Sequence, residues 1–351
     1  MTSRFLLAAL SLTLSLTLGE FVYRAALSSP LEVFAPLRHP GLYADEFLDD
    51  DYWKLYHRFG GRWRPPAHPH PLLGWVGAFD RDTFEHIDSR SVRGRRPVLL
   101  YGDSFAEGSQ GRDTFQGVLN ADPEFSRAHY VLNYAVGGYG LDQIYLALRS
   151  SLDHHAHPFV IFSLLTHDLD RSMLTVRVGQ KPRLRVVDGV LADPAEPIDP
   201  DPERWFAEHP PAIRSFLLRR LLYGGLLPAR LSSWIRNERA FEAEKLRLCT
   251  AILEAALREL RARDLDFAFL VFQPRLYGPG RVGEDWRDRF LREFFEANAV
   301  PYIWSEDLMQ RANREQGLRA EDLLDPNDGH PTQRMVEITA EAIKTTVLGV
   351  P

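Results

Sequence analysis

"RRPVLLYGDSFAEG", residues 95–108, sets the reading of the whole chain: an uncharged apolar run from Pro97 to Tyr101 stops abruptly on Gly-Asp-Ser. A run of that length, bounded by arginines on one side and a glycine on the other, suits a strand buried on both faces better than a helix. The glycine permits a tight turn, and the serine then stands where a strand gives way to a helix. At such a position a serine is either a helix N-cap or a nucleophile whose own backbone N–H faces whatever the hydroxyl attacks.

From Arg96 onward the pattern is regular. "HYVLNYAV" (129–136), "PFVIFSLLT" (158–166), "DFAFLVF" (266–272) and "VPYIW" (300–304) are further buried strands. Between them lie amphipathic helices: one around "FQGVLN", one with Leu141, Ile144, Tyr145, Leu148 and Leu152 on one face, one over 241–261, and one at "DWRDRFLREFFEAN"; a last helix follows the final strand from "HPTQRMVEITAEAIKTTV". Apolar strands alternating with helices predict a parallel sheet covered on both sides. The expected fold is α/β, a flavodoxin-like three-layer α/β/α sandwich with a central parallel sheet of about five strands. The rhythm breaks over about 176–239, which reads as an insertion and a candidate lid, and residues 26–95 read as a wrapping segment ahead of a domain at 96–351.

The chain has 351 residues, 45% hydrophobic and 26% charged, with a formal net charge of -6. That balance argues against a nucleic-acid partner, because no face is basic enough to displace condensed counterions. The single cysteine, Cys249, excludes an internal disulfide and a cysteine-based zinc site, and it falls on the apolar face of a helix. "AHPHP" (His68, His70) and "DHHAHP" (His154, His155, His157) lack an accompanying carboxylate or a chelating helical spacing, so no metal and no cofactor is expected. At the N-terminus, Arg4 precedes an apolar stretch from Phe5 to Leu18, followed by Glu20 and Arg24. This is an export signal in outline, read as an uncleaved membrane anchor over 1–25 in preference to a cleaved peptide, with the body outside the cytoplasm, periplasmic or extracellular.

In an open parallel sheet, ligands meet the crevice at the carboxyl ends of the strands, so the residues following each strand carry the candidate chemistry. The first strand delivers Gly102-Asp103-Ser104, and the second delivers Gly137, Gly138 and Gly140, whose backbone N–H groups suit an anion. The third delivers His167, Asp168 and Asp170; the histidine could donate to an oxyanion, bind a metal or simply bond within a polar loop. "FQPRLYGPGR", with Gln273 and Arg275, reads as a surface loop. "LLDPNDGHPTQ" opens the last helix and places His330 before Pro331, as in a first helical turn, with Asp325 and Asp328 near enough to orient it. A histidine beside a carboxylate, far in sequence from a serine at a strand end, is the arrangement that nucleophilic acyl transfer requires.

"GDSFAEG", "NYAVGGYG", "LLTHDLD" and "DGHP" follow one another in the order and approximate spacing of the SGNH (GDSL-type) hydrolase superfamily, which the chain resembles over roughly 96–180 and 240–348. The resemblance implies Ser104 as nucleophile, His330 as base, and an oxyanion hole formed by Ser104, Gly138 and His167, the last standing where the family has an asparagine. It implies Asp328 as the orienting acid in an Asp-x-His spacing, since Asn327 occupies the commoner position, with Asp325 as the alternative. The implied activity is a serine esterase that removes an O-acyl group, first of all an O-acetyl, from a carbohydrate or cell-envelope polymer or another small ester. Two alternatives stand beside it: an O-acyltransferase using the same triad, and an inactive binding module that keeps the fold. The implied partners are the acylated substrate and, through the N-terminal segment, a membrane.

Overall fold

A strand buried on both faces must be covered on both, and the computed structural model shows how. It describes residues 2–61, 64–108, 114–224, 227–228, 238–273, 285–327 and 329–349. The central sheet is built from β1 (Arg96–Tyr101), β2 (His129–Asn133), β3 (Phe159–Leu165), β4 (Asp266–Phe272) and β5 (Tyr302–Trp304). Its order is β2-β1-β3-β4-β5 and every pairing is parallel, the flavodoxin-like arrangement.

Alternation along β1 explains the two covering layers. Val98 and Leu100 point into a core with Phe115 and Leu119 of one helix and Val336, Ala340 and Ile343 of the helix Gln333–Leu348. Tyr101 points the other way, its hydroxyl paired with Ser151 Oγ at 2.7 Å on the helix Leu141–Ser151. All seven residues of β3 are buried, as a central strand covered on both faces must be. Cys249 is buried, its thiol pushed up chiefly by burial, as expected of a core residue.

The chain divides into two compact units: residues 68–173, 181–200 and 244–351, which hold the sheet, and residues 1–67, 174–180 and 201–243. Boundaries between the two units fall within 26–95 and within 176–239. Residues 68–95 belong with the sheet, as do 181–200, which include an antiparallel hairpin of Arg185–Val187 and Val190–Ala192.

In the second unit the N-terminal helix Thr2–Ser28 meets the helix Phe216–Tyr223 through Glu20. The Glu20 carboxylate accepts from the backbone N–H groups of Phe216 and Leu217, both at 3.0 Å, and from Ser215 Oγ at 2.9 Å. Burial works against its ionisation, but these donors and Arg24 hold it below the usual carboxylate range. Leu27, Tyr43, Leu55, Ile213 and Phe216 form the core of this unit. Leu6, Leu10, Leu14 and Leu18 remain exposed along the same N-terminal helix. Among the described residues no helix is long and apolar enough to cross a membrane. In its last turns Arg24 donates to Glu20 at 2.7 Å and to Arg214 O at 2.9 Å.

Candidate active site

β1 delivers the Gly-Asp-Ser turn. Gly102 is required there because a Cβ would lie 2.7 Å from the Ala106 Cβ and 3.0 Å from the Ser163 Cβ of β3. Asp103, not Ser104, caps the short helix Ser104–Glu107: its side chain accepts from Phe105 N–H at 2.9 Å. The cap reading of Ser104 is thereby answered, and its hydroxyl is left for other work. Ser104 Oγ lies 2.9 Å from His330 Nε2, across 226 residues of sequence.

His330 is held from its backbone as well as its ring. Asp325 N–H donates to His330 O at 2.9 Å, Leu324 bridges to Pro331, and Thr332 N–H donates to Leu323 O at 2.9 Å. Its ring tilts over Phe105 at 5.0 Å between centroids. The last helix starts later than the sequence suggests: Thr332 is its N-cap and Gln333 its first residue. His330 therefore belongs to the bridged segment before the helix rather than to its first turn, because Pro331 is used in pairing with Leu324. Asp325 Oδ1 accepts from the Asn327 backbone N–H and side-chain amide, at 2.9 and 3.0 Å, so this carboxylate braces the 325–330 turn. Asp328 lies outside the described residues.

β2 delivers the glycine loop, and two groups missed by the sequence analysis fix it. The Glu107 carboxylate accepts from Gly137 N–H at 2.8 Å, and the Trp75 indole N–H donates to Gly137 O at 3.0 Å. The backbone holds no cis peptide among the described residues, so the Gly137 carbonyl and the Gly138 N–H point in opposite directions from one plane. Trp75 thus sets where the Gly138 N–H points, and Gly138 has φ +85°, in the region that favours glycine. Burial raises Glu107 above the usual carboxylate range, partly offset by the Gly137 N–H. Its sequence signal was present: a carboxylate three residues after Ser104 in the same helical turn.

β3 delivers His167 and Asp168. His167 is half-buried at the start of the helix Asp168–Arg171, and its backbone carbonyl accepts from Asp170 and Arg171 N–H, both at 3.1 Å. Asp168 is fully buried and accepts from Leu165 N–H at 2.8 Å. Gln273, read as part of a surface loop, is 2% exposed at the end of β4 with its N–H on Ser305 Oγ, while Arg275 lies outside the described residues. Among the described residues no group of three or more His, Cys, Asp or Glu could hold a metal ion. Of the clustered histidines, His70 bonds to Arg81 O, Leu72 N–H and Leu73 N–H, and His155 Nε2 lies 2.9 Å from the Tyr134 hydroxyl.

No protein-family model matches the chain, and no curated protein matches it in sequence. Among solved structures it is similar to the acetyl xylan esterase AlAXEase, at 12% identity over 72% of this chain and 99% of that one, with a TM-score of 0.39. The psychrotrophic esterase EstA from Pseudoalteromonas sp. gives 13%, 72%, 99% and 0.38, and the acetylxylan esterase Axe2 from Geobacillus stearothermophilus gives 12%, 72%, 94% and 0.37.

Proposed function

We propose that this chain is a serine hydrolase of the SGNH (GDSL) type that cleaves an O-acyl ester through an acyl-enzyme. The observation that carries the proposal is the 2.9 Å contact between Ser104 Oγ and His330 Nε2 at the carboxyl end of the sheet. Ser104 Oγ attacks the ester carbonyl as His330 Nε2 takes its proton. The carbonyl oxygen becomes an oxyanion facing the N–H groups of Ser104 and Gly138 and the imidazole of His167. Collapse expels the alcohol, which leaves with the proton from His330. Water then adds to the acyl-enzyme by the same route, releasing the acid and restoring Ser104.

Asp328 is assigned as the acid that orients His330, on the Asp-x-His spacing of the sequence. The likeness of the four sequence blocks extends the proposal to an O-acetyl ester of a carbohydrate or cell-envelope polymer. The N-terminal run of Arg4 followed by apolar residues supports an exported location. The test is turnover of para-nitrophenyl acetate and labelling by a fluorophosphonate, in the wild type and in Ser104→Ala. Both activities are expected in the wild type and in neither case in the variant. A folded wild type that takes no label would overturn the proposal in favour of a binding module, and transfer of acetate to an added sugar faster than to water would make the enzyme a transferase.

A further inference from the structure

We propose that Arg171 is a positioning residue that sets the oxyanion hole, one guanidinium nitrogen fixing the residues next to all three of its donors; this rests on the hydrolase assignment above. The three proposed donors come from three loops, after β1, β2 and β3. Those loops are neighbours because β1 lies between the other two strands.

Arg171 Nη1 donates to Asp103 Oδ2 at 2.9 Å, to Tyr139 O at 3.3 Å and to Asp168 Oδ1 at 2.6 Å. Asp103 precedes Ser104, Tyr139 follows Gly138, and Asp168 follows His167. Each donor is thus the chain neighbour of one acceptor of the same nitrogen. The second oxygens of the two carboxylates are also used, Asp103 on Phe105 N–H and Asp168 on Leu165 N–H, so neither can turn without breaking a backbone contact. Packing adds to the constraint: a Cβ on Gly140 would lie 3.0 Å from Arg171 Cβ and from its carbonyl carbon.

The group is dry. Asp103 and Asp168 are fully buried and Arg171 is 6% exposed. Burial by itself would lower the guanidinium, but Asp168 and Asp103 outweigh it and hold it charged. Two carboxylates and the Tyr139 carbonyl around one cationic nitrogen form a charge-assisted hub. Pre-set donors are worth far more than donors that must be ordered during reaction.

The experiment compares Arg171→Lys and Arg171→Met with the wild type in turnover of para-nitrophenyl acetate, in the rate of fluorophosphonate labelling and in urea unfolding. Arg171→Met is expected to lose kcat on the order of a hundredfold, the worth of one misplaced oxyanion donor, with KM within about threefold. Arg171→Lys recovers part of that loss, and labelling slows in step with kcat, because phosphonylation uses the same hole. Removal of the cation leaves two buried anions and can prevent folding. For that case Asp168→Asn, which keeps the guanidinium with Asp103 and Tyr139, must still lower kcat and the labelling rate while unfolding cooperatively. A folded Arg171→Met or Asp168→Asn with kcat and labelling within twofold of wild type overturns the inference. So does a loss that follows the unfolded fraction alone. A wild type that neither labels nor turns over defeats the hydrolase assignment instead, so the two failures are distinguishable.

Discussion

Trp75→Phe removes one hydrogen bond and keeps an aromatic ring in place, which makes it a sharp probe of how the glycine loop works. Trp75 is 7% exposed, and its ring packs edge-on against Tyr139 at 5.6 Å, a contact that phenylalanine can largely retain. What is lost is the indole N–H on Gly137 O. Leaving this half-buried carbonyl without that donor costs up to about 1–3 kcal/mol, the figure for full burial. The adjoining peptide has glycine on both sides, so it can rotate and carry the Gly138 N–H away from the crevice. At about 1.4 kcal/mol per tenfold, the lost bias shifts the ratio of the two peptide orientations by up to about 5- to 150-fold. The rate falls by whatever fraction of molecules leaves the competent orientation. We therefore expect kcat for para-nitrophenyl acetate to drop about tenfold or more with KM little changed, since the donor acts on the oxyanion and not on the ground-state ester. The assay is steady-state kinetics beside a thermal melt. An unchanged kcat in a folded Trp75→Phe, or a loss confined to KM, would refute the argument that this bond aims the Gly138 N–H.

Three further outcomes follow from the same geometry. Gly102→Ala places a methyl 2.7 Å from the Ala106 Cβ and 3.0 Å from the Ser163 Cβ, so it should destabilise the protein by about 1–3 kcal/mol in urea unfolding and lower kcat by shifting the nucleophile turn. Glu107 has its carboxylate raised by burial, so the folded protein binds its proton more tightly than the unfolded chain does. Its contribution is present below the unfolded pKa and is lost as pH rises through the folded one; Glu107→Gln should flatten stability against pH in that window, and an unchanged slope would count against the assignment. Asp328→Asn should lower kcat by about 10⁴-fold, by analogy with other triads, while Asp325→Asn, whose oxygen braces Asn327, should cost much less; the reverse order would move the orienting role to Asp325.

How much of this was legible in the sequence follows from what each pattern encodes. Strand length, apolar continuity and alternation with helices report burial on two faces, which is local information, and they sufficed for a parallel sheet with its helices. The Gly-Asp-Ser stop at the end of β1 was equally legible, because a tight turn at a strand end demands glycine. The N-terminal helix shows the limit of such counting: nothing in its apolar run tells that Glu20 receives the first N–H groups of the helix Phe216–Tyr223, nearly two hundred residues away. Periodicity cannot see where a charge finds its partner.

The sequence by itself determined the type of fold, because hydrophobic burial follows residue by residue from the chain's own pattern. It also supplied Ser104 and His330 as a candidate nucleophile and base. Only the tertiary structure decided that they meet at 2.9 Å, that Asp103 and not Ser104 caps the helix, and that Trp75, Glu107 and Arg171 grip the loops around them. The reason is physical: hydrogen bonds and ion pairs are short-ranged and directional, so their partners are fixed by which strand ends become neighbours, and the order β2-β1-β3 is a property of the folded sheet.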